Sequence, residues 1–209
     1  MIERRVALVR HLEARGIHDR CVLDAMLAVP RERFLPPAQA ARAYEDVALP
    51  LALGQTVSQP FVVAYMTQWL EVRPGLSVLE VGTGSGYQAA ILAQIGARVT
   101  SIERIAVLAE SARERLTELG FDVRILVGDG AMGWPEDAPY DRIVATCACP
   151  TAPPALIEQL AEEGILVAPV GDRDAQRLVR VRETPGGSRV ETGLEVAFVP
   201  LVGPGGFPA

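Results

Sequence analysis

Ser77-Val78-Leu79-Glu80-Val81 runs directly into Gly82-Thr83-Gly84-Ser85-Gly86-Tyr87, and this junction decides the fold. The first five residues are apolar at three of five positions around Glu80, as in a short strand covered on both faces. Tyr87 to Ile95 then reads as a mostly apolar helix that Gly96 ends. Between them, glycines at 82, 84 and 86 permit positive φ and let the main chain approach a ligand closely. A helix that starts beyond such a turn offers unpaired N–H groups and the positive end of its dipole, which favours an anionic group.

Working outward in the chain, short apolar runs alternate with helical segments. Arg98 to Ile102 is the next strand, and Ile105 to Leu119 is an amphipathic helix whose apolar stripe is Leu108, Ala112, Leu116 and Leu119, stopped by Gly120. Val123 to Val127 and Arg142 to Thr146 follow as strands. Pro153 and Pro154 start a helix that the pattern carries to Ala161, Ile165 to Val170 is a fifth strand, and Gln176 to Arg182 with Val190 to Phe198 reads as a closing hairpin. This alternation predicts an α/β fold, a mostly parallel twisted sheet with an antiparallel final strand. On the other side, residues 1 to 15 and a stretch capped by Asp19 predict two short helices, and Pro60 opens a third that runs to about Leu70. Arg31 to Gln59 is irregular, and connections of that length usually carry function.

Three features fall on one edge of the predicted sheet, where ligands collect at strand C-termini. The glycine turn is the first. Glu103, twenty-one positions beyond Gly82 at the tip of the second strand, is spaced to reach the ribose hydroxyls of a bound nucleoside. Asp129, within Gly128-Asp129-Gly130 after the third strand, is placed near the base, although a lone Gly-Asp-Gly also reads as a plain turn. Gly-x-Gly-x-Gly differs from the Gly-x-Gly-x-x-Gly of dinucleotide binders, and the loop has no Arg or Lys for phosphate. Both points favour S-adenosylmethionine, its carboxylate on the loop, with Glu80, Gly82, Thr83, Gly84, Gly86, Glu103, Asp129 and Gly130 as the donor-binding set.

Composition removes several alternatives. The 209 residues suit one domain, with 1–59 as N-terminal helices and active-site cover and 60–209 as a Rossmann-like core. All 20 basic residues are Arg, so Schiff-base and lysine-base chemistry is excluded. A net charge of −6 disfavours nucleic acid as a partner. No apolar run is long enough for a membrane span, and the charged start is unlike a signal peptide, so the expectation is a cytoplasmic protein. Cys21, Cys147 and Cys149 do not form a disulfide framework, and His11 and His18 lack the partners for a metal cluster, so no metal is expected. Cys147 and Cys149 read as small buried or edge residues.

The sequence closely resembles the protein-L-isoaspartate (D-aspartate) O-methyltransferase family over nearly its whole length. The resemblance runs through Arg33-Phe34-Leu35-Pro36, Tyr44-Glu45-Asp46, Leu49-Pro50, Gly54-Gln55-Thr56-Val57-Ser58-Gln59-Pro60, Glu80 to Ala89, Gly128-Asp129-Gly130, Gly133-Trp134-Pro135 and Phe198-Val199-Pro200-Leu201. Gly54 to Pro60 is its most specific piece. The resemblance implies a Rossmann-like S-adenosylmethionine-dependent methyltransferase fold, with S-adenosylhomocysteine as the product. It implies methylation of the α-carboxylate of isoaspartyl residues in damaged proteins and peptides, with Ser58 as the active-site serine. By the same resemblance Thr56 and Val57 flank donor and substrate, and Gln176 borders the site. On position alone Ser58 is also a candidate N-cap of the helix opening at Pro60. Two other readings stay open: a specialised homologue esterifying an aspartate of one precursor peptide, and a non-catalytic donor-binding module. Nothing in the sequence gives the oligomeric state, and a monomer is the expectation.

Overall fold

In the computed structural model, which describes residues 1–208, the chain runs α1 (Ile2–Ala14), α2 (Arg20–Ala28), β1 (Leu49–Pro50), β2 (Thr56–Val57), α3 (Pro60–Trp69), β3 (Ser77–Val81), α4 (Tyr87–Ile95), β4 (Arg98–Glu103), α5 (Ala106–Glu118), β5 (Val123–Val127), β6 (Tyr140–Ala145), α6 (Pro154–Ile157), β7 (Leu160–Gly171), β8 (Gln176–Arg182) and β9 (Arg189–Val196). β3 to β9 form one sheet in the order β5-β4-β3-β6-β7-β8-β9. β3 pairs in parallel with both β4 and β6, so the strand order reverses beside β3, the place where α/β sheets open a crevice at their C-terminal edge. At the far end β8 runs antiparallel to β7 and β9 antiparallel to β8, so the expected closing hairpin is present.

Successive residues of the central strands feed opposite layers, as the two-residue period requires. Val78, Val144, Ile165 and Val167 join the cluster that includes Leu12, Leu23, Met26, Phe34 and Ile91. Leu79, Val81, Ile143 and Leu166 join the other, with Ala131, Leu156 and Leu201. The predicted cap is present at α2, where Asp19 accepts from Cys21 N–H at 3.0 Å. Gly96 ends α4 in the left-handed region. The helix begun at Pro153–Pro154 does not reach Ala161. It stops at Ile157, because Leu160 already pairs with Tyr140 as the start of β7 and the buried Gln159 amide donates to the carbonyls of Met132 and Ala155. No helix among the described residues is long and apolar enough to cross a membrane.

The stretch 31–59 is organised by contacts rather than by long elements. It holds three short 3-10 helices, Arg31–Phe34, Pro37–Arg42 and Ala52–Gly54, and a minimal hairpin in which Leu49 faces Val57 and Pro50 faces Thr56. This hairpin delivers the chain to the mouth of the sheet crevice.

Candidate active site

The cleft at the C-terminal edge spans about 960 Å³, part of it open solvent. Its floor is the glycine turn. Gly82, at φ +100°, lies so close to the end of β6 that a Cβ there would stand 2.5 Å from Thr146 Oγ1. The Thr146 hydroxyl donates to the carbonyls of Gly82 and Val81, tying the turn to β6. Gly84, at φ +53°, has nothing within 4 Å of the place a Cβ would take, so its backbone is open to the cleft. Glu103 is buried and holds the turn to the tip of β4: its Oε2 accepts from Gly84 N–H and its Oε1 from Ile105 N–H, each at 2.9 Å. Each carboxylate oxygen keeps a further lone pair for a ligand hydroxyl. Asp129 caps a 3-10 turn by accepting from Ala131 N–H at 2.9 Å, and Gly130 packs so closely on Val81 that a Cβ would meet its Cγ1 at 2.6 Å.

The facing wall is Gln55 to Ser58. Thr56 and Val57 are held by the β1–β2 ladder, and Ser58 follows as a half-buried residue whose hydroxyl has no hydrogen-bond partner among the described residues. Ser58 is not the cap of α3. Gln59 takes that position without a side-chain bond, and Phe61 N–H is served by Asp46 Oδ1 at 2.8 Å. A remote carboxylate thus replaces the local hydroxyl and leaves Ser58 free to face the cleft. Asp46 is itself held by Arg15, which also stacks 3.6 Å from the Phe61 ring centroid, and Gln59 Nε2 donates back to the Asp46 carbonyl.

Two residues of the predicted donor set, Glu80 and Gly86, do not line the cleft, and Gln176 borders it. Glu80 pairs in register with Ser101 on β4, accepts from that hydroxyl, and is fully buried, with Oε1 lacking a partner. Burial pushes its carboxyl up to about 8, Ser101 pulls it back, and the charge of Glu103 raises it further. Ser101 also bonds Thr83 at 2.6 Å, so Glu80 supports the turn from below. Gly86 serves packing: a Cβ there would touch Leu116 at 3.2 Å and Ala112 at 3.4 Å on α5. Gln176 lies in a neighbouring groove that shares Thr56, Ser58 and Phe198 with the cleft. Its amide donates to the carbonyls of Asp172 and Arg173 and accepts from Phe198 N–H at 2.8 Å, so it holds a wall residue rather than the donor.

That third wall, Phe198 to Val202, is a part of the site that the strand pattern does not announce. It is fixed by pairing with the segment after β6, Ala148 N–H to the Val199 carbonyl and Leu201 N–H to the Ala148 carbonyl, each at 2.8 Å. Cys147 lines the cleft beside it. Burial holds the Cys147 thiol well above its ordinary value and lifts Cys149 to about 12, so both stay protonated and unreactive. Among the described residues no group of three or more His, Cys, Asp or Glu could hold a metal ion.

Residues 3–205 match the family model described as protein-L-isoaspartate (D-aspartate) O-methyltransferase. The chain belongs to this family. A protein-L-isoaspartate O-methyltransferase from Methylorubrum populi is 52% identical over 196 residues, covering 93% of this chain and 92% of its own length. One from Parvibaculum lavamentivorans is 48% identical over 204 residues, covering 96% and 92%. A solved protein-L-isoaspartate O-methyltransferase superposes with a TM-score of 0.85 at 29% identity, over 96% of this chain and 66% of the other. A Plasmodium falciparum structure of the same enzyme type, in complex with S-adenosyl-L-homocysteine, superposes with a TM-score of 0.81 at 25% identity, over 94% and 97%.

Proposed function

We propose that the cleft holds S-adenosylmethionine on the glycine-turn side and an isoaspartyl carboxylate at Ser58. The observation that carries this is the opposition, across one cleft, of a serine hydroxyl without a protein partner and an open glycine turn pinned by Glu103. The chain is a protein-L-isoaspartate O-methyltransferase that methylates the α-carboxylate of isoaspartyl residues in protein repair. Gly82, Thr83, Gly84 and Gly130 let the donor approach the backbone, Glu103 accepts from its ribose hydroxyls, and Asp129 stands toward its base. The donor supplies, when bound, a methyl group already activated on a sulfonium.

The chemistry asked of the protein is therefore placement. A carboxylate is ionised at neutral pH, so no general base is required. Neither histidine lines the cleft, and Cys147 stays protonated, so no side chain is poised as a nucleophile. Ser58 donates its hydroxyl hydrogen to one oxygen of the acceptor carboxylate and aims the other, while Thr56 and Val57 border it. Holding the reacting oxygen in line is worth several kcal/mol as effective molarity. Residues 1–59 act as the cover over the core 60–209, in one domain. We place the protein in the cytoplasm, as its three free thiols suit a reducing compartment, and propose a monomer, as donor and acceptor walls come from one chain.

The test uses methyl-labelled S-adenosylmethionine and two peptides that differ only in carrying isoaspartate or aspartate at one position. Base-labile label is expected on the isoaspartyl peptide alone, with Ser58→Ala lowering it roughly 100-fold while donor binding is kept. Equal labelling of both peptides would overturn the acceptor assignment. Donor binding without labelling of either would instead favour a dedicated precursor substrate or a binding module.

A further inference from the structure

Arg31 has no solvent exposure, and among the described residues it has no carboxylate within ion-pair distance. Its guanidinium instead spans the cover segment. Nη1 donates to the Ala43 carbonyl at 2.5 Å, and Nη2 donates to the carbonyls of Val47 at 3.2 Å and Ser58 at 3.0 Å. Its Cζ stands 5.8 Å from the ring centroid of Tyr87, the first residue of α4 and itself a lining residue of the cleft. Nε is buried without a partner.

As a stabilising device this is an expensive arrangement. A guanidinium whose direct partners are carbonyl dipoles and an aromatic ring, with the Asp46 charge acting only from beyond ion-pair distance and the Nε–H unsatisfied, loses more hydration than an apolar side chain of similar size would. What it supplies is geometry. Thr56 and Val57 are fixed by the β1–β2 ladder, and α3 begins at Pro60, so Ser58 and Gln59 span the gap between two regular elements. Gln59 is tied to Asp46 through its side chain, and the Ser58 carbonyl is tied to Arg31. With that carbonyl drawn to a rigid, always charged fork, the peptide plane on the C-terminal side of Ser58 has one orientation, and with it the Cα–Cβ bond that carries the hydroxyl.

We propose that Arg31 is a positioning residue for methyl transfer, acting through the Ser58 carbonyl to aim the serine hydroxyl at the acceptor carboxylate. This rests on the reading of Ser58 as the acceptor-holding group. None of the three carbonyls that Arg31 binds belongs to the glycine turn, Glu103 or Asp129, and its one contact toward the donor side is the Tyr87 ring.

The experiment is a double-mutant cycle with Arg31→Met, Ser58→Ala and the double variant. It measures kcat and KM for an isoaspartyl peptide, S-adenosylhomocysteine affinity by calorimetry, and near-ultraviolet circular dichroism. Arg31→Met is expected to lower kcat about 10- to 100-fold, the range for a reacting group displaced by about an ångström, with donor affinity within about twofold. In the Ser58→Ala background the same substitution is expected to cost less than about threefold, because the group it positions is gone. Arg31→Lys, which keeps one cation but not the planar fork, is expected to fall between wild type and Arg31→Met. It carries the same cycle if the methionine variant does not fold. A full Arg31 penalty on top of Ser58→Ala would overturn the proposal and leave the Ser58 reading standing. Parallel loss of donor affinity and kcat would overturn it as well, by showing a general loosening of the fold. Wild-type activity in Ser58→Ala alone would instead remove the reading on which the proposal rests, and the proposal with it.

Discussion

Replacing Glu80 by Gln is expected to change the pH dependence of stability more than stability at any one pH. The Glu80 carboxyl is fully buried between β3 and β4, and burial raises it from the ordinary 4.5 to about 8. Between those two values the folded protein keeps a proton that the unfolded chain releases. Folded pKa above unfolded pKa in an acid means that stability falls as pH rises through this window and levels off above it. The slope for one group reaches at most about 1.4 kcal/mol per pH unit, so the whole window sets a ceiling of about 5 kcal/mol. Gln keeps the shape and an acceptor for Ser101 but does not titrate. Urea unfolding of both proteins at pH 5, 6, 7, 8 and 9, followed by far-ultraviolet circular dichroism, gives two stability curves. Their difference should grow in favour of the variant from pH 5 to about 8 and then stay constant. The amide's extra donor adds an offset that does not vary with pH. Parallel curves from pH 5 to 9 would refute the reasoning, since they would mean that Glu80 titrates as an ordinary carboxyl.

The remaining predictions concern the same frame. Gly82→Ala sets a Cβ against Thr146 at a φ of +100°, and is expected to cost roughly 1–3 kcal/mol in urea unfolding and to weaken S-adenosylhomocysteine binding in calorimetry. Unchanged donor affinity would show that the turn does not approach the ligand. Asp46→Ala removes the remote cap of α3 and should cost about 1–2 kcal/mol, whereas Ser58→Ala should cost almost none, which comparison of their unfolding midpoints checks. An aromatic disulfide reagent should modify the half-buried Cys21 first and reach Cys147 and Cys149 only on unfolding; three fast thiols would contradict their burial.

Much of this protein is legible along the chain. The strand–glycine–helix junction at 77–95, the spacing to Glu103 and the Gly128–Gly130 turn are local patterns. Periods of 2 and 3.6 residues and the steric freedom of glycine act over a few neighbours, so they survive in a linear reading. They determined the α/β winding and the donor edge of the sheet, and the resemblance through Gly54 to Pro60 determined the chemistry. What the tertiary structure alone decided are directions and distant pairings. Glu80 reads as part of the donor loop, but a cross-strand partner at Ser101 turns it into the sheet. Gln176 reads as a site residue, but two loop carbonyls and Phe198 N–H hold it just outside. Nothing local in the sequence marks Arg31, and its burial exists only because Ala43, Val47 and Ser58, twelve to twenty-seven positions away, bring their carbonyls to it. Burial and hydrogen-bond partnership are properties of chain segments meeting in space, and sequence separation carries no record of that meeting.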